Sequence, residues 1–144
     1  MSYTNLNYHI IFSTKEHRPF LDDATMERLF EYIGGIIGNM KATLLLASGT
    51  RDHVHLAVRL HPELSMIEFV RTVKTNSSKW IHDTFAEDFG WQEGYSAFSV
   101  SQSILGKVID YIRTQKEHHK TLTFKEELMV LLEKHNIQYD DKYL

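Results

Sequence analysis

The chain contains no cysteine among its 144 residues, so disulfide staples and thiolate metal sites are both excluded, and nothing suggests an oxidising compartment. It also lacks any apolar run approaching the roughly 20 residues of a membrane span. Its first residues have none of the basic, apolar and small-residue regions of a secretory leader, so a cytoplasmic location is the default expectation. No linker, repeat or low-complexity tract divides it, and one domain spans 1–144. A basic excess is missing too. The net charge is −3 with nine histidines counted as neutral, which argues against indiscriminate coating of nucleic acid, because such binding rests on phosphate neutralisation. A local basic face remains open. What is present, 42% hydrophobic and 24% charged residues, suffices for a soluble domain with its own core.

Alternation of Leu6, Tyr8, Ile10 and Phe12 with Asn5, Asn7, His9 and Ile11 predicts a strand over 3–14 whose even positions face the core. A turn at 15–21 follows, and Asp22 or Asp23 can cap a helix over 24–40 with Met26, Leu29, Phe30, Ile33, Ile36, Ile37 and Met40 on one stripe. A second strand, Ala42 to Ala47, leads through a turn at Ser48-Gly49-Thr50 into a third that begins near His53, the two forming an antiparallel hairpin. Ser65 and Glu68 open a second amphipathic helix over 65–86. Arg71, Lys74, Ser78 and His82 share its outer side with Lys79 at the edge, which suits either a solvated face or phosphate contacts. After a loop at 88–94, Tyr95 to Ser101 alternates as a fourth strand.

Strand, helix, strand, strand, helix, strand is the order of an α+β, ferredoxin-like (RRM-like) sandwich: a four-stranded antiparallel sheet with helices on one face. This unit accounts for 1–102. Two further helices, 103–119 and 123–135, are not needed by it and are expected to cover an edge, reach a partner, or bring chemistry to the open face.

That face carries the chain's most specific polar pattern. Side chains two apart on a strand point the same way, so His53 and His55 lie together opposite Val54, Leu56 and Val58, spaced to hold one divalent ion. His9, on the neighbouring central strand, shares their face. In the helix 103–119, Tyr111 flanks a stripe of Ile104, Leu105, Val108, Ile109 and Ile112; Gln115 lies one turn on, and His118 and His119 continue that side. Taken singly, each feature reads more readily as a structural residue: a polar strand face, a packed tyrosine.

Together they become distinctive. Asp52-His53-Val54-His55, then Trp91-Gln92-Glu93-Gly94-Tyr95-Ser96-Ala97-Phe98-Ser99-Val100-Ser101, then Tyr111-Ile112-Arg113-Thr114-Gln115 resemble the insertion-sequence 200/605 transposases. These are single-tyrosine members of the His-hydrophobe-His (HUH) endonucleases, and the resemblance is close to their repeat-associated tyrosine branch. It runs over almost the whole chain, and the tail Tyr139-Asp140-Asp141-Lys142-Tyr143-Leu144 looks like that branch's ending. The resemblance implies that His53 and His55 bind a metal, that Gln115 is the third ligand, and that Tyr111 is the nucleophile. It implies cleavage and rejoining of single-stranded DNA through a covalent 5′-phosphotyrosine link, with Mg²⁺ or Mn²⁺ as cofactor and subterminal or repeat-borne hairpins as targets. It also implies a prokaryotic source and a homodimer with composite active sites. His118 or His119 could supplement Gln115, and His9 could support a ligand from behind. Arg71, Lys74 and Lys79 are the candidate DNA contacts. Two neutral imidazoles and an amide carry no charge, so metal binding is expected to be weak until DNA supplies an anionic oxygen. The competing readings are a non-catalytic RRM-like domain binding single strands and a metal-dependent phosphodiesterase that releases its product.

Overall fold

The computed structural model describes residues 1–144. Its sheet is built from β1 (Asn7–Ser13), β2 (Ala42–Thr50), β3 (His53–Leu60) and β4 (Ser96–Val100) in the order β2-β3-β1-β4, every neighbouring pair antiparallel. α1 (Asp23–Gly38) and α2 (Met66–Thr84) cross one face, completing the ferredoxin-like sandwich. Asp22 caps α1 by accepting from the Thr25 amide, and Ser65 caps α2 by accepting from the Glu68 amide, which relieves an unpaired amide at each helix start.

The alternation along β1 sorts its residues between two cores. Ile10 and Phe12 join Val54, Leu56 and Val58 of β3 against Leu29, Ile33 and Ile37 of α1 and Phe69, Val70 and Val73 of α2. Ile11 faces the other way, into a smaller cluster with Phe98, Phe124, Leu128, Leu131 and Leu132. The second face is therefore not open. It is covered by three C-terminal helices, α3 (Leu105–Arg113), α4 (Gln115–His118) and α5 (Phe124–Lys134).

Three boundaries differ from the sequence expectations. The first strand is shorter than 3–14, because it pairs only where β3 and β4 provide partners. The hairpin turn is Arg51-Asp52, not Ser48-Gly49-Thr50, and Thr50 pairs directly with His53. Gly49 permits this close pairing: a Cβ there would lie 2.3 Å from the His53 carbonyl oxygen. The expected single helix over 103–119 is broken at Thr114 (φ −99°, ψ 29°), whose hydroxyl donates to the carbonyls of Asp110 and Tyr111, a competition for backbone that serine and threonine side chains commonly win at helix ends. Ile104, expected on the buried stripe, precedes the helix and is exposed, while Leu105 and Ile112 are buried.

Candidate active site

β-Sheet register puts three imidazoles beside one another. Ser13 pairs with His53, Ile11 with His55 and His9 with Ala57, so His9 sits diagonally across from His55 on the same face. His9 Nε2 and His55 Nδ1 are 2.7 Å apart. On the hairpin turn, Asp52 Oδ1 lies 2.8 Å and Thr50 Oγ1 3.0 Å from His53 Nδ1. Both strand histidines are thus gripped at Nδ1 and offer Nε2 to the C-terminal helices. Both are fully buried.

The break at Thr114 turns Gln115 inward. Its Oε1 is 3.1 Å from His53 Nε2, and its side chain is fully buried. Tyr111, one turn earlier on α3, is half-buried beside the same histidines, its ring 6.3 Å from that of His55. All four residues singled out from the sequence therefore meet within one chain. Tyrosine exchange with a second copy is not required to assemble them.

A fifth residue, which the sequence reading missed, lies at the centre. Glu127 of α5 is buried, and its two oxygens face different partners. Oε1 lies 3.0 Å from His119 Nε2, 3.1 Å from His55 Nε2 and 3.5 Å from His53 Nε2. Oε2 accepts from Gln115 Nε2 at 3.0 Å and from the hydroxyl of Tyr111. A signal was available: Glu127 falls on the stripe of Phe124, Leu128, Leu131 and Leu132, and a carboxylate on an apolar stripe needs a buried partner. His118 turns elsewhere, stacking on Tyr111 and meeting Thr114 Oγ1.

Electrostatics follow this geometry. Burial pushes His55 down to about 4 and His9 to about 3, so both imidazoles are neutral near pH 7. Burial also disfavours charge on His53, but hydrogen bonds to Asp52, Glu127 and Gln115 outweigh it and raise that ring to about 9. Burial would raise Glu127, yet its contacts with His119, His53 and His55 hold the carboxyl far below the usual carboxylate range. Burial, reinforced by the hydrogen bond to Glu127, pushes the Tyr111 phenol above its ordinary value. The resting arrangement thus keeps the tyrosine protonated and the glutamate ionised.

The donor set fits a divalent cation. One atom from each of His53, His119 and Glu127 lies within 4.8 Å of the other two, and His55 reaches the same carboxylate oxygen. A buried carboxylate, absent from the uncharged set expected from the sequence, stands among the imidazoles. Two openings flank the cluster. A cleft of about 650 Å³ beside His119 is lined by Arg51, Lys116, Lys120 and Phe124, and a groove of about 280 Å³ beside Tyr111 by His9, Phe98, Lys107, Lys134 and His135. The expected DNA contacts lie elsewhere. α2 packs on the opposite face, where Lys74 and Lys79 line a separate groove with Lys15 and His82; Arg71 is exposed outside it.

Residues 2–115 match the family model described as transposase IS200 like. The chain belongs to this family. Its relatives include the transposases for insertion sequence element IS200 of Salmonella typhimurium and Salmonella typhi, each 25% identical over 124 residues covering 81% of this chain and 80% of theirs. A candidate transposase from Deinococcus radiodurans, seen in a crystal structure, shares the fold with a TM-score of 0.66 at 23% identity, over 79% of this chain and 93% of that one. A REP-associated tyrosine transposase bound to a REP hairpin gives a TM-score of 0.64 at 14% identity, over 83% and 72%. Family membership gives a transposase, a DNA-cleaving enzyme, and the two structural matches give the four-stranded fold. No helix of the structure is long and apolar enough to cross a membrane.

Proposed function

We propose that this transposase cleaves and rejoins single-stranded DNA with Tyr111 as the nucleophile. The observation that carries the reading is the convergence of Tyr111, His53, His55 and Gln115 within a single chain. The phenol oxygen attacks the scissile phosphorus, forming a phosphotyrosine bond to the 5′ side and breaking the bond to the 3′-oxygen. The phenol proton passes to Glu127 along the hydrogen bond that Tyr111 already donates to it, and the departing 3′-oxygen takes up a proton from water to become a free hydroxyl. Rejoining is the reverse attack by a 3′-hydroxyl. Because the covalent link conserves the phosphodiester bond energy, strand transfer needs no nucleotide cofactor.

His53, His55 and Gln115 would hold Mg²⁺ or Mn²⁺. Such an ion supplies a Lewis acid for the phosphate oxygens and a positive charge that eases loss of the phenol proton. The chain's own contribution is placement. β1 and β3 fix the histidines, Asp52 and His9 orient them from behind, and the break at Thr114 lets one short segment deliver both Tyr111 and Gln115.

The flanking clefts offer Arg51, Lys116 and Lys120 on one side and Lys107 and Lys134 on the other for a strand crossing the cluster. The groove of Lys15, Lys74 and Lys79 on the opposite face suits the phosphates of a hairpin stem. Against a non-catalytic RRM-like binder, the sheet face on which such modules stack bases is covered here by α3, α4 and α5.

The test uses hairpin-bearing single-stranded DNA labelled at either end, with Mn²⁺. Label on the 3′ side of the cut should move with the denatured protein, and Tyr111→Phe should abolish this while retaining hairpin binding. Cleavage that releases two free ends would instead indicate a simple phosphodiesterase. Mixing Tyr111→Phe with His53→Ala separates the arrangements of a homodimer, if one forms: no regained cleavage is expected from sites completed within one protomer, and regained cleavage would indicate an exchanged tyrosine.

A further inference from the structure

The nucleophile reading leaves Glu127 and His119 without an assigned metal role, although Glu127 Oε1 contacts three imidazoles of the cluster, that of His119 among them. A hydrogen-bonded salt bridge does not account for the whole arrangement. His53 and His55 are each held at Nδ1, by Asp52 and by His9, which leaves both Nε2 atoms facing Glu127 Oε1, the pattern that outer partners impose on metal-bound imidazoles. His119 brings a third Nε2 to the same oxygen, at 3.0 Å. The other carboxylate oxygen is committed to Gln115 and Tyr111. His119 also lines the 650 Å³ cleft, which gives an ion a way in to an otherwise buried site.

We propose that Glu127 and His119 are resident metal ligands, joining His53, His55 and the amide oxygen of Gln115 in a site of three imidazoles, one carboxylate and one amide for a first-row transition ion such as Mn²⁺ in preference to Mg²⁺, while the second oxygen of Glu127 keeps the Tyr111 hydroxyl beside that ion.

The chemistry of the donors decides the preference. Mg²⁺ favours oxygen ligands and retains several waters, whereas imidazole nitrogen binds the first-row transition ions, with affinity rising from Mn²⁺ toward the later members of the row. A carboxylate in the set gives the site a negative charge of its own, so the ion is held before DNA arrives. Besides receiving the phenol proton in the proposed reaction, Glu127 then ties the nucleophile to the metal. This inference rests on the metal site of the proposed function and adds two ligands to it.

The test measures metal binding by the DNA-free protein, by calorimetry and by the electron paramagnetic resonance signal of free Mn²⁺. One Mn²⁺ per chain is expected, bound at least about tenfold more tightly than Mg²⁺. Glu127→Gln should weaken Mn²⁺ binding by on the order of 100-fold, since even outer partners of metal ligands are worth about 10–100-fold. His119→Asn, at the mouth of the cleft, keeps the assay informative if Glu127→Gln does not fold; it should weaken Mn²⁺ by about tenfold or more and remove one nitrogen coupling from the electron spin-echo spectrum of the bound ion. Mn²⁺ held equally tightly by wild type and both variants, or Mg²⁺ held more tightly than Mn²⁺, overturns the proposal. His53→Ala and the tyrosine adduct separate the two readings. If His53→Ala alone loses metal while the adduct still forms, the added ligands are wrong and the proposed function stands. If metal binding needs Glu127 but no Tyr111 adduct forms, the nucleophile reading is the one that fails.

Discussion

Consider the chain held in chelator and unfolded by urea at half-unit pH steps between 9 and 4.5. On the acid side the relevant groups are His55 and His9, neutral and buried against each other. A folded-state value of about 4 against an ordinary 6.5 for His55 corresponds to about 3 kcal/mol of folding stability. His9, at about 3, shares one hydrogen bond with His55, so the pair is counted once. Groups whose folded value is depressed contribute in full above the unfolded value, so this stability is complete above pH 6.5 and declines as the pH falls toward 4. His53 has the opposite sign. Raised to about 9 through Asp52, Glu127 and Gln115, it contributes in full below pH 6.5 and loses about 3 kcal/mol as the pH climbs through 9. Glu127, held low, adds to the acid loss only where free glutamates begin to protonate, near about pH 4.3. Stability should therefore peak near pH 6.5. With a urea dependence of about 1–3 kcal/mol per molar, the midpoint should fall by about 1–3 M toward either end. A midpoint unchanged between pH 6.5 and 4.5, or one that rises from 6.5 to 9, would refute this account of the cluster.

Gly49→Ala places a methyl group 2.3 Å from the His53 carbonyl oxygen and 3.0 Å from Val54 Cα, so it should cost at least about 1–3 kcal/mol in thermal or urea unfolding; wild-type stability would contradict the close pairing of β2 and β3. Thr123→Ala removes the capping box it forms with Glu126 at the start of α5 and should cost about 1 kcal/mol, with an unchanged urea midpoint counting against it. Lys74 and Lys79 should separate. Lys74 donates to the carbonyls of Gln92 and Gly94, each at 2.7 Å, so Lys74→Ala should lose about 1.5–3 kcal/mol of stability. Lys79→Ala, at an exposed position, should change stability by less than about 0.5 kcal/mol but lower the salt dependence of hairpin binding by about one counterion. Equal effects of the two substitutions on stability would contradict the loop anchor.

Much of this architecture was legible because periodicity and burial coincide. The two-residue alternation of β1 and the three- and four-residue spacing of α1 each report one apolar surface, and the hydrophobic effect acts on that surface directly. His53 and His55 were readable for the same reason, since a strand fixes which side chains are neighbours. Three things were less accessible. The break at Thr114 depends on a local contest between a hydroxyl and the helix backbone, which propensity alone does not resolve. The turn shifted to Arg51-Asp52 because Gly49 allows the strands to remain paired at a distance that other residues would not. Glu127 was missed because its partners come from β3, α3, α4 and the residue after α4, and no local pattern brings those together. Its one visible mark was a charge on an apolar stripe.

The measurement that bears most directly on the central claim is identification of the residue that carries DNA. The protein is incubated with hairpin-bearing single-stranded DNA and Mn²⁺, the bound strand is trimmed with nuclease, and the tryptic peptides are sequenced by mass spectrometry. The account predicts a nucleotide remnant joined through its 5′-phosphate to the hydroxyl of Tyr111, and its disappearance in Tyr111→Phe. A remnant on another residue, or efficient cleavage with no remnant on the protein, would contradict it.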